Sequence, residues 1–126
     1  MIHYKKNLNK NEIIQRQEWK DEVRILIIDN YGSVQLSILF YHNKLTGKAD
    51  ALIHTLYVDI KHRRQGIAKR LLHLAEQQAK LNHVKVVGLE FDIRDTESFV
   101  LNFYLKNGYK PFNRTNKLLI KNLNKL

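Results

Sequence analysis

Between residues 52 and 93 the apolar residues change period twice, and this constrains the fold more than any other feature of the chain. Leu52 to Val58 (LIHTLYV) has the length and side-chain content of a strand. From Ile67 the spacing becomes helical: Ile67, Leu71, Ala75 and Ala79 recur every four residues, and Ala68, Leu72 and Leu74 widen the same face. Val84 to Ile93 returns to period two, with Leu89, Phe91 and Ile93 on one side and Glu90 and Asp92 on the other. Strand, helix and strand in immediate succession predict parallel pairing through a right-handed crossover.

The flanking segments extend this unit. Val23 to Ile28 (VRILII) and Val34 to Tyr41 (VQLSILFY) are of strand length, and Asn30-Tyr31-Gly32 between them is turn chemistry, so an antiparallel hairpin is expected. Residues 8–19 read as one short, poorly amphipathic helix, and Asn43 to Ala49 as a polar loop. Asp95 or Thr96 is placed to cap a second helix, in which Phe99/Phe103 and Val100/Tyr104 are i,i+4 pairs and Gly108 is the stop. Tyr109–Phe112 and Lys117–Lys121 finish as two short strands. The expectation is a single α/β domain over residues 1–126, of three layers, with a mixed, mostly antiparallel sheet around a central parallel strand–helix–strand unit.

Composition removes whole classes of chemistry. The chain has 126 residues, one domain's worth, and no cysteine, which excludes disulfides, thiolate metal sites and a cysteine nucleophile. No apolar run reaches the roughly 18 residues of a membrane span, and the first residues lack a signal-peptide core, so the cytoplasm is the expected compartment. Lys and Arg number 22 against 12 Asp and Glu, a net charge of +10, which favours anionic partners such as nucleic acid, anionic lipid or a phosphate-rich cofactor. The lysines are scattered from Lys5 to Lys125, however, and compositional drift explains such scatter equally well.

The stretch that carries chemistry is Val58-Asp59-Ile60-Lys61-His62-Arg63-Arg64-Gln65-Gly66-Ile67-Ala68. A strand enters a basic turn, meets a glycine, and passes directly into an amphipathic helix. Amides in such a turn lack intrahelical acceptors, and the helix dipole points its positive end at them, so phosphate is the fitting ligand. Gly66 lets a ligand approach the backbone, and Ala68 keeps the helix start unobstructed. The plainer reading is an ordinary strand–helix turn with a solvated basic run. The spacing of a P-loop is missing.

Arg63-x-x-Gly66-x-Ala68 resembles the (Gln/Arg)-x-x-Gly-x-(Gly/Ala) signature of the GNAT superfamily of N-acetyltransferases. Leu56-Tyr57-Val58 is similar to the end of that family's fourth strand. Phe103-Tyr104-Leu105-Lys106-Asn107-Gly108-Tyr109 resembles its Phe-Tyr-x-Lys-x-Gly-Phe element, and Leu119-Ile120-Lys121-Asn122-Leu123 its last-strand ending. The resemblance covers roughly residues 23–123 and implies acetyl transfer from acetyl-CoA to an amine by direct attack, without a metal. It places the pyrophosphate on the amides of Arg64, Gln65, Gly66, Ile67 and Ala68, with Arg63 in the motif, and pairs the pantetheine with the splayed end of 52–58. An amide near Tyr57 or Val58 polarises the thioester carbonyl. Tyr104 protonates or hydrogen-bonds the departing thiolate; its plain alternative is a core aromatic.

For the general base, several family members place a Glu or His on this strand. By the two-residue period Leu52, His54, Leu56 and Val58 share a face, which offers His54, reaching the carbonyl through water. Glu90 and Asp92 are the rivals, and a half-buried histidine with a satisfied hydrogen bond is the bland reading. Glu97 stands where the family often has Asn, and only one helix is expected where the family usually has two before the central unit, so the acceptor, a small-molecule or peptide amine, does not carry over. His62 adds a possible donor to the turn, His73 and His83 lack metal-ligand spacing, and Asn113-Arg114-Thr115 is a sequon without use in the cytoplasm. Two other readings stand beside the enzyme: a basic nucleic-acid-binding module, which lacks any recognised signature, and a non-catalytic CoA-binding domain. No membrane partner is expected, and a homodimer is compatible with the sequence.

Overall fold

The computed structural model describes residues 2–6, 12–40, 49–90, 98–112 and 118–124. Its strands are β1 (Ile2–Lys6), β2 (Ile13–Glu18), β3 (Glu22–Ile28), β4 (Gly32–Leu39), β5 (Ala51–Val58), β6 (Val86–Glu90), β7 (Lys110–Pro111) and β8 (Leu118–Asn122). The helices are α1 (Ile67–Leu81) and α2 (Ser98–Lys106), with a 3-10 turn at Ile60–His62. All eight strands form one sheet in the order β1-β2-β3-β4-β5-β6-β8-β7. Among the described residues only β5 and β6 pair in parallel, the geometry that a strand–helix–strand unit requires.

The expected hairpin is β3–β4, paired antiparallel from Glu22↔Leu39 to Ile28↔Ser33. Alternation decides which side it buries. Val23, Ile25 and Ile27 of β3 and Val34, Leu36 and Ile38 of β4 are all buried, and α1 lies over them with Leu71, Leu72, Ala75 and Ala79. Leu71 and Leu72 are fully buried, a contribution of about 2 kcal/mol each. The alternate residues Arg24, Leu26, Gln35 and Ser37 occupy the opposite face.

The expected helix over 8–19 is overturned in its described part, because Ile13–Glu18 is strand β2, hydrogen-bonded to β3 along its length. Gln15, Arg16, Gln17 and Glu18 are good helix formers, but propensity is a weak prior. Pairing with the apolar β3 sets Ile14 opposite Ile27 and buries it, and turns Arg16 toward the end of α1, where its Nη1 donates to Asn82 Oδ1 at 2.9 Å. Before β3 the sheet thus gains two strands.

Helix α2 stops where Gly108 was expected to end it, with Gly108 at φ +94°. Leu101 and Phe103 pack partly buried against the core. The last strands are shorter than or offset from their expected spans, Lys110–Pro111 and Leu118–Asn122. The expected cap at Asp95 or Thr96, the residues Phe91, Asp92, Ile93 and Glu97, the sequon, and the loop up to residue 48 lie outside the described residues.

Candidate active site

Two features flank the β5–α1 junction. The first is the turn itself. Arg64 and Gly66 both take positive φ, +65° and +79°, which coils the backbone before the helix. Gly66 is the N-cap of α1; no side chain caps the helix, and its first turn holds no acid. The amides of that turn therefore have no partner from a cap and face a field that favours an anion. A Cβ on Gly66 would meet nothing within 4 Å, so the space above the turn is open to a ligand. Arg63 is used structurally: its Nε donates to Val58 O at 3.0 Å and ties the end of β5 to the turn.

The junction is braced by the β3–β4 hairpin. Asp29 Oδ1 accepts from the amides of Tyr31 and Gly32 at 2.8 Å each, and its other oxygen takes an Arg70 guanidinium N–H from α1. Tyr31 stacks against His62, ring centroids 4.1 Å apart, so His62 lies against the hairpin tip. Gly32 has no room for a side chain, because a Cβ there would come within 2.2 Å of Tyr57 O.

The second feature is the edge of β5. Its ladder to β6 consists of Ala51↔Val87 and Leu52↔Gly88. Beyond Leu52 the two strands diverge, and among the described residues the amides and carbonyls of β5 that point toward β6 have no ladder partner there. On the other side β5 stays paired to β4, but with a bulge: Ser33 to Gln35 of β4 spans His54 to Tyr57 of β5. Thr55 takes φ +58° in that bulge, a conformation that costs a β-branched residue about 1–3 kcal/mol.

The bulge reverses the side-chain alternation and corrects one expectation. Leu52, His54, Leu56 and Val58 do not share a face. Val58 joins Ala51 and Ile53 in the core beneath α1, whereas His54 projects from the other side of the sheet, open to solvent but with its ring partly covered. Tyr57 is likewise exposed, at 52%.

At the divergence lies a cavity of about 350 Å³, walled by His54, Ser37 and Glu90, by Tyr104 from α2, and by leucines that include Leu52 and Leu56. It gathers three sequence-predicted candidates, Tyr104, His54 and Glu90, from three elements; Asp92 lies outside the described residues. His54 Nε2 shares a hydrogen bond of 2.7 Å with Ser37 Oγ. Partial burial, and then the charge of Arg24, lower its pKa from 6.5, so its imidazole is neutral at pH 7 and holds a lone pair. Tyr104 meets Tyr109 edge-on, centroids 5.9 Å apart, and burial raises its pKa, so the phenol keeps its proton. Beneath it Tyr109 OH donates to Glu76 Oε2 at 2.8 Å and Lys121 Nζ to Glu76 Oε1 at 3.0 Å, an arrangement that raises the Tyr109 pKa through burial and the Glu76 charge.

Sequence reasoning missed Ser37, Glu22 and the Glu76–Tyr109–Lys121 cluster. The first two lie on β4 and β3, far in sequence from the motif, and only the register brings them to the cavity. Among the described residues no cluster of His, Asp and Glu is placed to hold a metal, and no helix is long and apolar enough to cross a membrane.

A family model described as "Acetyltransferase (GNAT) domain" matches residues 21–111. A GNAT-family acetyltransferase from Staphylococcus aureus superposes with TM-score 0.61 at 19% identity, over 81% of this chain and 68% of its own. PaiA N-acetyltransferase from Thermoplasma acidophilum, solved in complex with coenzyme A, gives 0.58 at 22% identity, over 81% and 61%. An acetyltransferase from Streptococcus agalactiae gives 0.58 at 16%, over 80% and 66%. The chain thus spans about two thirds of the length of these structures, and at such identities the likeness is one of fold. No curated protein matches.

Proposed function

This chain belongs to the GNAT acetyltransferase domain family, and on that premise we propose that it is a cytoplasmic N-acetyltransferase that uses acetyl-CoA as cosubstrate and a primary amine as acceptor. The observation that carries this reading is the cavity at the β5–β6 divergence, where a strand edge without a ladder partner among the described residues meets His54, Glu90 and Tyr104.

The donor side follows from the backbone. The pyrophosphate sits on the amides from Arg64 to Ala68, where Gly66 leaves the approach open and the cationic side chains of Lys61, Arg64 and Lys69 complement its charge. The pantetheine, an amide-bearing chain, pairs with the free edge of β5 from Ile53 toward Val58, as an added strand would. This lays the thioester along β5, where an amide near Tyr57 or Val58 polarises its carbonyl, three to four residues of strand, roughly 10–13 Å, from His54.

The acceptor side uses side chains. An alkylammonium must lose a proton before its nitrogen can attack. His54 accepts that proton through water, because its pKa leaves it neutral at pH 7; Glu90 is the rival base on the same wall. The amine nitrogen bonds to the acetyl carbon as the carbon–sulfur bond breaks, and the thiolate takes its proton from Tyr104, which burial keeps protonated. No covalent enzyme intermediate is required, in keeping with a chain without cysteine.

The test is to mix protein, acetyl-CoA and a panel of primary amines and follow free thiol, with CoA binding read separately as a rise in melting temperature. The expected result is amine-dependent thiol release together with the thermal shift. No shift at millimolar CoA would overturn the proposal.

A further inference from the structure

The cavity's charge contradicts that of the molecule. The chain carries a net +10, yet among the described residues the cavity wall includes no Lys or Arg; its formally charged side chains are Glu90 and Glu22, the latter ion-paired to Arg24 outside the wall. The basic turn, with Lys61, Arg63, Arg64 and Lys69, lies beyond the other end of β5. An anionic donor and a cationic acceptor are thus drawn to different ends of the same strand.

The register separates the two carboxylates. Glu90 follows Gly88, the partner of Leu52, and so stands level with His54. Glu22 pairs with Leu39, beyond the Ser37–Leu52 row. Between the Glu90 and Glu22 levels lie about four residues of strand, roughly 13 Å, and β6 stands three strand spacings from β3, roughly 14 Å across the sheet. The wall between them is aliphatic, with Leu39 and Leu52. Glu22 already receives the Arg24 guanidinium, Nε at 3.2 Å and Nη2 at 3.1 Å, but a carboxylate has about four acceptor sites and can take a second cation.

We infer that the acceptor is a linear aliphatic amine bearing a second positive charge, its reacting end beside Glu90 and His54, its apolar spacer along Leu39 and Leu52, and its distal cation on Glu22. This rests on the amine-acetylation reading above and names the substrate class of that site. A spacer must cross the cavity, so preference is expected to rise with chain length to an optimum. Simple hydrophobic binding would reward diamines and monoamines of increasing length alike.

The experiment compares α,ω-diaminoalkanes of increasing length with the monoamines of matched length, by kcat/KM and by affinity for the protein saturated with CoA, where no acetyl group is present to react. Diamines above a threshold length are expected to exceed their matched monoamines at least tenfold in both measurements. In Glu22→Gln that ratio should fall toward one, and in Arg24→Gln, where the competing guanidinium is gone, it should rise. Equal use of diamines and monoamines by the wild-type protein would overturn the inference while leaving acetyl transfer standing. So would an unchanged ratio in folded Glu22→Gln, or a basic peptide used in preference to every diamine. CoA binding without turnover of any amine would count against the transferase reading; in that case the affinity ratio in the CoA complex still decides the charge preference.

Discussion

The turn at Arg63–Ala68 and the cavity at His54 stand at the two ends of one strand and are built by opposite means. The turn is continuous in sequence and works through backbone: two positive φ angles, an uncapped helix start and a glycine under open space. The cavity is assembled from β3, β4, β5, β6 and α2 and works through side chains. A backbone site tolerates exchange of most side chains and fails when its geometry changes. A side-chain site fails residue by residue, each loss scaled to the role lost.

The largest expected effect tests the backbone site. Gly66→Val places a β-branched residue at φ +79° and fills the space above the turn, so CoA affinity should fall by more than about 100-fold. The wild-type protein should gain about 2.7 kcal/mol of stability at CoA near 100 times Kd, and the variant should show no shift while keeping a cooperative melt. A normal CoA shift in Gly66→Val would erase the contrast between the two sites.

Next comes the proposed acid. Tyr104→Phe should keep CoA affinity and lower kcat by about 100-fold, since the phenolic proton matters only as the thiolate leaves. An unchanged kcat would return Tyr104 to the role of a core aromatic packed on Tyr109.

The base follows, with a change in pH profile. A lowered His54 pKa means that, as pH rises, kcat/KM for the amine should climb through an apparent value below 6.5 as the imidazole loses its proton, with further gain at high pH from deprotonation of the amine. His54→Gln should remove the lower limb and cost about 10-fold, sparing CoA affinity. If the limb persists in that variant, the role moves to Glu90 or water.

Ser37→Ala is expected to have the smallest effect. In the tautomer whose Nε2–H donates to Ser37 Oγ, Nδ1 holds the lone pair that the base needs. Losing a bond worth about 0.5–1.5 kcal/mol should lower the His54 limb further, by at most about one pH unit. An upward shift would identify the Ser37 hydroxyl as the donor to Nε2, which puts the imidazole proton on Nδ1 and leaves no lone pair there for the amine.

The two sites also differed in how they could be read. The turn was legible because motif, glycine and helix start are neighbours in the chain, and the resemblance named the same residues. Of the cavity, His54, Glu90 and Tyr104 were legible as separate candidates, but their meeting was not. Ser37 and Glu22 carry no local signal, since a serine or glutamate on a half-exposed strand face is ordinary. The shared face assigned to His54 and Val58 failed for a related reason: the period-two rule assumes an unbroken ladder, and the bulge at Thr55 inserts a residue.

What the sequence by itself determined was the central parallel unit, the β3–β4 hairpin and the position of the glycine turn before α1. Each rests on the spacing of apolar residues or on glycine's access to positive φ, and both are local properties of the chain. The tertiary structure decided the rest. Residues 13–18 became strand because β3 offered an apolar edge to pair with, which outweighed the helix propensity of Gln15, Arg16 and Gln17. The cavity exists because β5 leaves β6 after Leu52 while remaining bonded to β4, and a divergence between strands belongs to neither sequence alone.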